Sequence, residues 1–514
     1  MLFLDRIFEN CRHFAHKPAI EFRDHDGTTT VTYGRLGSAV EKTAVWLDQL
    51  GVRRGDRVAV RLPKSLASIY IHLATCRLGA ISMPLNPAYS AAELIYFLND
   101  SGAKLLLVDD SEPLDLGPVV REAVSLQRTV SIDSVPFDTF IETVEGSPPQ
   151  VEISPDLTAL MLYTSGTTGR PKAAELSHAN LTAIISSLDQ AWGWRSDDVM
   201  LHVLPIFHAH GLVMGLHGAL NVGATTVAYR KFDANQTLAA IQDGRCSVFM
   251  GVPTVHTRLL EAAGSEIIDL SRLRLMTSGS ARLAEDLFES FRERFGYELV
   301  ERYGMTETGI LLSNPLAGER RPGWVGVALP GVEVRVANPE NNQPLPDNEI
   351  GEIQTQGPHV FKGYWNDPQK TASAFTPDGW FKTGDIGLRD SAGYYQLRGR
   401  SAELIISGGL NVYPLEVERV LDRHPAVVES AVVGCADAEW GELVTAVVVT
   451  IDGPPTEDDL IEYCRESLAP YKLPKRISLV KELPRNSMGK VDKASLRPTC
   501  EAAETDPSGG GHLK

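Results

Sequence analysis

Nine consecutive residues combine the side chains that a loop needs to bind a polyphosphate. They are Thr164, Ser165, Gly166, Thr167, Thr168, Gly169, Arg170, Pro171 and Lys172. Glycines let backbone N–H groups approach phosphate oxygens, while hydroxyls and cations supply further donors and positive charge. The apolar run at residues 157–163 predicts a buried strand, and strand ends are where α/β proteins bind ligands. We therefore predict a polyphosphate site at this strand end, with an ordinary Ser/Thr/Gly turn as the alternative.

The spacing within this loop excludes a common class of phosphate-binding proteins, the P-loop NTPases. Their motif requires Gly-x-x-x-x-Gly-Lys followed directly by Ser or Thr. Here Lys172 comes three residues after Gly169 and is followed by Ala173. Any nucleotide chemistry must therefore follow a different pattern.

Seven further segments follow the loop in a fixed order along the chain. They are residues 205–211, 278–281, 301–308, 384–385, 397–400, 407–414 and 484–490. In this order they resemble the motifs of the acyl-CoA synthetases of the adenylate-forming superfamily, over about residues 5–495. The resemblance implies that a carboxylate attacks the α-phosphorus of ATP and that the thiol of coenzyme A then displaces AMP. The cofactors that it implies are ATP, Mg²⁺ and coenzyme A.

The resemblance also implies roles for individual residues around the nucleotide. Residues 164–172 would hold the β- and γ-phosphates, Thr306 would contact the α-phosphate, and Glu307 would bind the Mg²⁺ that bridges phosphate oxygens. One carboxylate suits magnesium, which keeps several waters and takes its other ligands from substrate phosphates. The residues that would frame the adenine are Gly279, Ser280, Ala281 and Tyr303.

Asp385 is the residue that the resemblance assigns to the ribose hydroxyls, with Arg400 beside it. A carboxylate can accept two hydrogen bonds from a diol, which is the chemistry that this role needs. The alternative is an Asp that closes a turn or caps a helix after Gly384.

Lys490 lies in the last of the shared segments, where the resemblance implies a catalytic lysine that bridges the carboxylate and the α-phosphate during adenylation. A mobile point charge suits a site that is assembled and then dismantled. The alternative is a solvated surface lysine. Gly408 and Gly409 would allow the backbone to approach the pantetheine arm of coenzyme A.

Two arginines are candidates for selecting the acid. Within the superfamily the chain most closely resembles the malonyl-CoA synthetase branch, through residues 251–260, 278–281 and 301–305. Arg302 stands where many relatives that act on fatty or aryl acids carry Gly. A guanidinium there would pair with a second carboxylate and would be left unpaired by an alkyl tail. Arg258 is the second candidate, and for both the alternative is a structural salt bridge.

His208 and His210 lie two residues apart, so on an extended segment they face the same side. This spacing would allow a metal pair, but no third ligand is visible in the sequence. The resemblance implies that His208 lines the channel for the carboxylate. For His210 two locations stay open: the same channel, or a core or surface position. Neither is needed as a general base, because the attacking carboxylate is ionised at neutral pH.

The elements that must position these residues alternate between strand and helix. Residues 57–62 and 104–108 have the pattern of strands, and residues 65–78 and 91–99 have the pattern of helices. Such alternation is typical of a parallel α/β layer. We predict a mixed α/β and α+β fold class.

Three parts are expected along the chain. Residues 1–400 form a large N-terminal domain of α/β layers with a β-rich subdomain after Gly323. Residues 401–500 form a small, mobile α+β domain that carries the catalytic lysine. Residues 501–514 lack apolar side chains to bury and are expected to be disordered.

Composition narrows the partners and the location of the protein. The net charge of −17 over 514 residues argues against nonspecific binding to nucleic acid or to an anionic membrane. We find no apolar run long enough for a membrane span and no signal-peptide pattern. The six cysteines form no Cys-x-x-Cys pair, which indicates reduced thiols and a cytoplasmic enzyme.

The function that these features predict is an ATP-dependent acid–CoA ligase, with malonate favoured as the acid and methylmalonate next. One alternative is a ligase for a short or medium monocarboxylic acid. Another is a stand-alone adenylation enzyme that loads a carrier protein. No Gly-Gly-x-Ser attachment site follows Lys490, so any carrier would be a separate chain.

Overall fold

The computed structural model describes residues 1–24, 27–109, 114–133, 137–164, 171–408, 410–437, 440–451, 455–485 and 491–496. These residues divide into two compact units. The first comprises Met1–Val334 with Thr355–Phe381, and the second comprises Arg335–Gln354 with the described residues from Lys382 onward. The domain boundary at residue 400 stays a prediction.

The helices are distributed over both units. In chain order they are α1 (Phe3–His13), α2 (Tyr33–Gln49), α3 (Leu66–Arg77), α4 (Ala91–Ser101), α5 (Gly117–Glu122), α6 (Phe137–Glu142), α7 (His178–Trp192), α8 (Gly218–Val222), α9 (Ala234–Gln242), α10 (Pro253–Ala263), α11 (Glu285–Phe295), α12 (Pro368–Ser373), α13 (Pro414–Leu421) and α14 (Glu457–Arg465). A π-helix covers His210–His217, and short 3₁₀ turns cover Ser401–Glu403 and Pro470–Lys472.

The strands belong to four sheets. In chain order they are β1 (Pro18–Asp24), β2 (Gly27–Thr32), β3 (Arg57–Arg61), β4 (Ile81–Pro84), β5 (Leu105–Asp109), β6 (Arg128–Ile132), β7 (Thr158–Thr164), β8 (Lys172–Ser177), β9 (Val199–His202), β10 (Thr225–Tyr229), β11 (Val248–Gly251), β12 (Leu275–Ser278), β13 (Val300–Met305), β14 (Gly309–Ser313), β15 (Val327–Ala328), β16 (Glu333–Ala337), β17 (Gly351–Gln356), β18 (Gly363–Tyr364), β19 (Phe381–Arg389), β20 (Tyr395–Arg400), β21 (Ile405–Ser407), β22 (Leu410–Val412), β23 (Val427–Asp437), β24 (Gly441–Thr450) and β25 (Arg476–Val480).

Two sheets of the first unit carry most of the predicted site. One is nine-stranded, in the order β15-β14-β13-β12-β11-β9-β10-β1-β2. Its strands from β13 to β1 pair in parallel, and β13 also pairs antiparallel with β14. The other is seven-stranded, in the order β18-β8-β7-β4-β3-β5-β6, and ends with the antiparallel pairs β7/β8 and β8/β18. The parallel centres with crossover helices confirm the predicted α/β layers.

The second unit is built on smaller antiparallel sheets. One has the order β16-β17-β19-β20 and is formed mainly by this unit, and the other has the order β22-β21-β24-β23 with β25 added in parallel to β24. A core beneath the latter sheet joins Val417 and Leu421 of α13 to Val432, Val444 and Leu460. This unit has the α+β character that the sequence predicted for the C-terminal part.

Local signals explain where the helices next to the site begin. The α3 helix starts after Ser65, whose hydroxyl accepts from the backbone N–H of Ser68 in a reciprocal capping box. The α7 helix starts after Ser177 in the same way and ends at Gly193, which has φ +55°. The sequence pattern predicted the helix at α3, but no prediction covered α7 or the π-helix at His210–His217.

Four cysteines agree with the expectation of reduced thiols. Cys11, Cys76, Cys246 and Cys464 are free and buried. Within the described ranges, no helix is both long enough and apolar enough to cross a membrane.

Candidate active site

The hairpin of β13 and β14 carries several of the predicted site residues on one short segment. A Cβ atom on Gly304 would lie 2.0 Å from the carbonyl oxygen of Gly309, so only glycine allows the two strands to approach this closely. Gly309 itself has φ +67°. This tight tip holds Thr306 in a half-buried position and Glu307 in a buried one.

Glu307 lies among oxygen donors. Its Oε1 accepts hydrogen bonds from the hydroxyl of Tyr364 at 3.1 Å and, at the longer distance of 3.5 Å, from Thr164. The backbone N–H of Phe361 donates to the Glu307 carbonyl at 2.8 Å, which ties the hairpin tip to the segment that carries Tyr364. An all-oxygen set with one carboxylate fits Mg²⁺, which prefers hard oxygen ligands.

A magnesium ion at Glu307 would depend on ligands other than protein carboxylates. Across the described ranges, no group of three or more His, Cys, Asp or Glu side chains is arranged to hold a metal ion. Water and phosphate oxygens would complete the coordination, as is usual for Mg²⁺ bound with a nucleotide.

Lys172 lies beside this carboxylate at the start of β8. Its Nζ lies 5.1 Å from the centre of the Tyr364 ring, a cation–π distance. Burial, and next the neighbouring Lys370, lower the pKa of the Lys172 ammonium to about 8, against the opposing effect of Glu307. Lys172, Tyr364 and Glu307 therefore form one connected cluster that combines a cation with a carboxylate.

Arg302 lies further back on the same hairpin, in β13, and is only 4% exposed. Its Nη2 donates to the Ser280 hydroxyl at 3.3 Å, whereas its Nε has no partner. A Cβ atom on Gly279 would lie 2.3 Å from that Nε, so the guanidinium packs directly against a glycine backbone. Ser280 has φ +69°, a strained conformation for a residue with a side chain.

His210 completes this second cluster. Its Nδ1 lies 3.1 Å from the Ser280 hydroxyl, and its buried Nε2 has no partner. Burial, followed by the positive charge of Arg302, holds the pKa of His210 well below its usual range, so the imidazole is neutral. Burial also lowers the pKa of Arg302, to about 9. Among the described residues Arg302 has no carboxylate partner, and such a cation is suited to receive the carboxylate of a ligand.

In the second unit, Asp385 and Arg400 face each other across the antiparallel pair of β19 and β20. Arg400 Nε lies 2.6 Å from Asp385 Oδ1, and the Asp385 side chain is 8% exposed. The backbone N–H of Asp385 donates to the Thr383 hydroxyl at 3.0 Å, and Gly384 has φ +71°. The sharp local turn and the ion pair hold the carboxylate in one orientation.

Comparison with known proteins decides the family. The family model described as AMP-binding enzyme matches residues 7–365, and the model of its C-terminal domain matches residues 416–490. The chain belongs to the AMP-binding enzyme family. A mitochondrial malonate–CoA ligase of Mus musculus, ACSF3, is 38% identical over 87% of this chain and 82% of its own length.

Two other relatives have sequence identities slightly below and slightly above that of the malonate–CoA ligase. A feruloyl-CoA synthase of Amycolatopsis sp. is 36% identical over 92% of this chain and 94% of its own length. The crystal structure of ATP-bound MatB from Rhodopseudomonas palustris superposes with a TM-score of 0.90 at 40% identity, covering 97% of this chain and 99% of that one. The mixed α/β fold with a large N-terminal and a small C-terminal part is that of this family.

Several residues predicted from the family motifs lie outside the described residues. They are residues 165–170, Gly409 and Lys490. Of the phosphate loop, Thr164 and Pro171 flank this stretch, and the Pro171 carbonyl accepts from the Tyr96 hydroxyl at 2.7 Å. Gly408 has φ +57°, and its N–H donates to the Trp440 carbonyl at 2.8 Å.

Other predicted residues lie apart from the cluster around Arg302. Arg258 is exposed on α10, whose buried face carries His256 and Leu259 instead, and no contact joins it to Arg302 among the described residues. His208 is half-buried with its ring edge against Phe207, 4.6 Å between centroids. Ser280, assigned to the adenine, directs its hydroxyl to Arg302 and His210.

Sequence reasoning missed two residues that the structure connects to the site. Tyr364 contacts both Glu307 and Lys172, and Lys64 contacts the segment that carries His208 and His210. Lys64 follows a predicted strand, at the sheet edge where α/β proteins bind ligands. That position was the available signal, but a lone lysine after a strand is usually solvated.

Proposed function

We propose that this AMP-binding enzyme is an ATP-dependent malonate–CoA ligase, which also accepts methylmalonate. The observation that carries the choice of acid is Arg302, a buried guanidinium with no carboxylate partner among the described residues. A second carboxylate on the substrate would pair with it, and the Ser280 hydroxyl and the neutral His210 lie close enough to complete the recognition. The similarity to a malonate–CoA ligase supports the same choice.

The reaction would proceed in two balanced steps. One malonate carboxylate oxygen attacks the α-phosphorus of ATP, the bond from that phosphorus to the bridging oxygen breaks, and pyrophosphate leaves. The sulfur of coenzyme A then attacks the acyl carbon, the thiol proton is lost, and AMP leaves with the electrons of the acyl–oxygen bond. The first step brings anions together, so it depends on cations and donors placed around the phosphates.

Residues of the first unit would serve the adenylation step. Residues 164–172 would bind the β- and γ-phosphates, Thr306 would contact the α-phosphate, and Glu307 would hold Mg²⁺. When bound, the ion would offset the charge that develops on the phosphate oxygens. His208 would line the path of the attacking carboxylate. Tyr303, with Gly279, Ser280 and Ala281, would frame the adenine.

Residues of the second unit would bind other parts of the substrates. Asp385, oriented by Arg400, would accept hydrogen bonds from the ribose hydroxyls. Lys490 would supply the positive charge for adenylation, and Gly408 and Gly409 would allow a close approach of the pantetheine arm. These assignments rest on the family motifs.

The alternatives concern the acid and its acceptor. The feruloyl-CoA synthase is nearly as similar to this chain as the malonate–CoA ligase, so the identity supports malonate by a small margin and the choice of acid rests mainly on Arg302. An enzyme for a monocarboxylate would bury the Arg302 charge against an alkyl or aryl group, which costs free energy. Arg302 therefore favours a dicarboxylate over either a butyrate-like or a ferulate-like acid.

The location in the cytoplasm is part of the proposal. Free thiols such as Cys76 and Cys246 support it, because reducing compartments keep thiols reduced.

An acid panel tests the proposed function directly. The full chain is assayed for AMP release that requires both coenzyme A and an acid, with malonate, methylmalonate, butyrate and ferulate in parallel. We expect kcat/KM for malonate to exceed that for butyrate by at least about tenfold, the value of one charge-assisted contact. A preference for butyrate or ferulate would overturn the malonate assignment and leave acid–CoA ligation in place. Release that needs a separate carrier protein instead of coenzyme A would favour the carrier-loading alternative.

A further inference from the structure

Lys64 is a buried cation surrounded only by neutral acceptors. It lies between β3 and α3 and is 5% exposed. Its Nζ is 2.9 Å from the carbonyl of Leu204, 3.1 Å from the carbonyl of His202 and 3.3 Å from His202 Nδ1. Burial alone lowers the pKa of this ammonium, to about 7. A buried lysine without an ion pair is costly, so a function is expected to retain it.

The number of donors fits the charged form of Lys64. An ammonium has three N–H donors, and the three acceptors around Nζ use all of them. His202 Nδ1 must then be unprotonated, which leaves the proton on Nε2. That nitrogen lies 2.8 Å from the carbonyl of Gly211, the geometry of a donated hydrogen bond. Lys64 and the Gly211 carbonyl therefore both require the same tautomer of His202, with the proton on Nε2.

Together, Lys64 and His202 connect both ends of residues 203–211, called here the acid-site segment. Its start is held at the carbonyls of His202 and Leu204, and its end is held at the carbonyl of Gly211. The two ends approach so closely that a Cβ atom on Gly211 would lie 2.1 Å from the carbonyl oxygen of Pro205. The conformation of this segment thus depends on contacts that Lys64 makes.

The acid-site segment carries the residues that face the proposed acid site. His210 lies within it and contacts the Ser280 hydroxyl, which accepts from Arg302. His208 lies within it as well, and its carbonyl accepts from the N–H of Leu212 at 3.0 Å. A shift of the segment would move His210 away from Ser280 and weaken the polar cluster around Arg302.

We propose that Lys64, acting through His202, is a positioning residue that holds the acid-site segment in the conformation that binds the acid. It acts without touching the substrate. The inference deepens the proposed function and rests on it for the identity of the acid. It does not depend on the phosphate cluster around Lys172.

Lys17 provides a matched control within the same unit. Its Nζ also donates to backbone carbonyls, those of Ser196 and Gly223, and burial lowers the pKa of its ammonium as well. These carbonyls lie outside the acid-site segment. A lysine that is merely structural should therefore behave in the same way as Lys17.

The test compares Lys64→Met with Lys17→Met in the full chain. KM for the preferred acid, KM for ATP, kcat and the melting temperature are measured for each. We expect Lys64→Met to raise KM for malonate by about tenfold or more and to leave KM for ATP within about twofold. Lys17→Met is expected to lower the melting temperature only. An equal rise in both KM values, or the same result for both variants, would overturn the positioning role.

Two further measurements cover other outcomes. His202→Phe removes both imidazole nitrogens, so combining it with Lys64→Met should add little to the rise in KM if the two residues act as one unit. If Lys64→Met does not fold, the ¹⁵N shifts of labelled histidine in the wild-type protein decide. An Nδ1–H tautomer at His202 would refute the arrangement, and an Nε2–H tautomer supports it.

The same set of assays separates this inference from the proposed function. The wild-type acid panel alone decides whether malonate is the substrate. If another acid is preferred, the comparison of Lys64 with Lys17 is made with that acid. A rise in its KM confined to Lys64→Met would then support positioning of the acid site while refuting malonate.

Discussion

Two clusters differ in how their positive charge is compensated. The phosphate cluster is Lys172, Tyr364 and Glu307, and the acid cluster is Arg302, Ser280 and His210. Lys172 is half-buried, lies over an aromatic ring and has the Glu307 carboxylate nearby. Arg302 and Lys64 are almost fully buried and have only neutral partners among the described residues. Yet Arg302 and Glu307 are separated by only a few residues of one hairpin. The two clusters therefore differ in how deeply their cations are buried and in whether a carboxylate lies near them, although they are close in sequence.

The difference indicates what each cluster is built to bind. A half-exposed lysine beside a carboxylate retains part of its hydration. It can therefore bind and release a polyphosphate that carries Mg²⁺. A buried guanidinium without an anion carries an uncompensated desolvation cost until an anionic group enters. Such a site rejects uncharged acyl tails, because they leave the charge unpaired. We infer that the acid cluster sets specificity, whereas the phosphate cluster supports the chemical step.

The largest effect is expected from Glu307→Gln in the phosphate cluster. The amide keeps the size of the side chain but removes the charge that would hold Mg²⁺, so kcat for acyl-AMP formation should fall by at least about a hundredfold. Exchange of labelled pyrophosphate into ATP, measured over a range of MgCl₂, reports this step. Glu175→Gln is the control, because Glu175 lies on β8 and its Oε1 accepts from Thr158 at 3.0 Å. Wild-type magnesium dependence in Glu307→Gln would contradict the assignment.

A smaller change in activity, with a gain in stability, is expected from Arg302→Met in the acid cluster. Losing a charge-assisted contact should lower kcat/KM for malonate by about tenfold to a hundredfold and reduce the penalty against butyrate. The ligand-free protein should melt at a slightly higher temperature, by roughly 1–2 °C per kcal/mol for a unit of this size, because an uncompensated buried charge is removed. Kinetics with both acids and calorimetry measure the two effects.

Arg258→Met is the matched control for this pair of measurements. Its side chain is exposed, so we expect neither the ratio of malonate to butyrate activity nor the melting temperature to change appreciably. If Arg258→Met changed the ratio and Arg302→Met did not, the selecting arginine would be Arg258.

The smallest effect is a proton taken up when MgATP binds at Lys172. Burial and Lys370 lower the pKa of Lys172 to about 8 in the free protein, and the negative charge of MgATP raises it again. At pH 8.5 the free lysine is about one-quarter protonated, so up to roughly three-quarters of a proton should be bound with ATP, against roughly 0.1 at pH 7. Calorimetric titrations in buffers of different ionisation enthalpy measure this number. Uptake that persists in Lys172→Met would assign it to another group.

The site was predictable from the sequence to the extent that its residues lie in recognisable local motifs. Thr306 and Glu307 fall in one turn of a hairpin, and Lys172 begins the strand after the loop, so their motifs indicated a shared chemistry. Tyr364 was missed, although its hydroxyl donates to Glu307 at 3.1 Å. A tyrosine in an exposed-looking Gly-Tyr-Trp stretch has the same local pattern whether it lies on a surface or beside a carboxylate. The resemblance assigned only His208 to the channel for the acid, whereas the structure places the buried His210 against Ser280. Spacing alone does not tell a half-buried histidine from a buried one.

By itself, the amino-acid sequence determined which chemically active residues the protein has and which short stretches become strands and helices. Periodicity, capping and turn residues act between neighbours a few positions apart, so a single sequence reveals them. Only the tertiary structure decided which distant groups meet. Lys64 reaches His202 across 138 residues of sequence, and Arg302 reaches Ser280 without meeting a carboxylate. Whether a lysine or an arginine is solvated, paired or left for a ligand depends on what packs around it, and that is set by segments far apart in the chain.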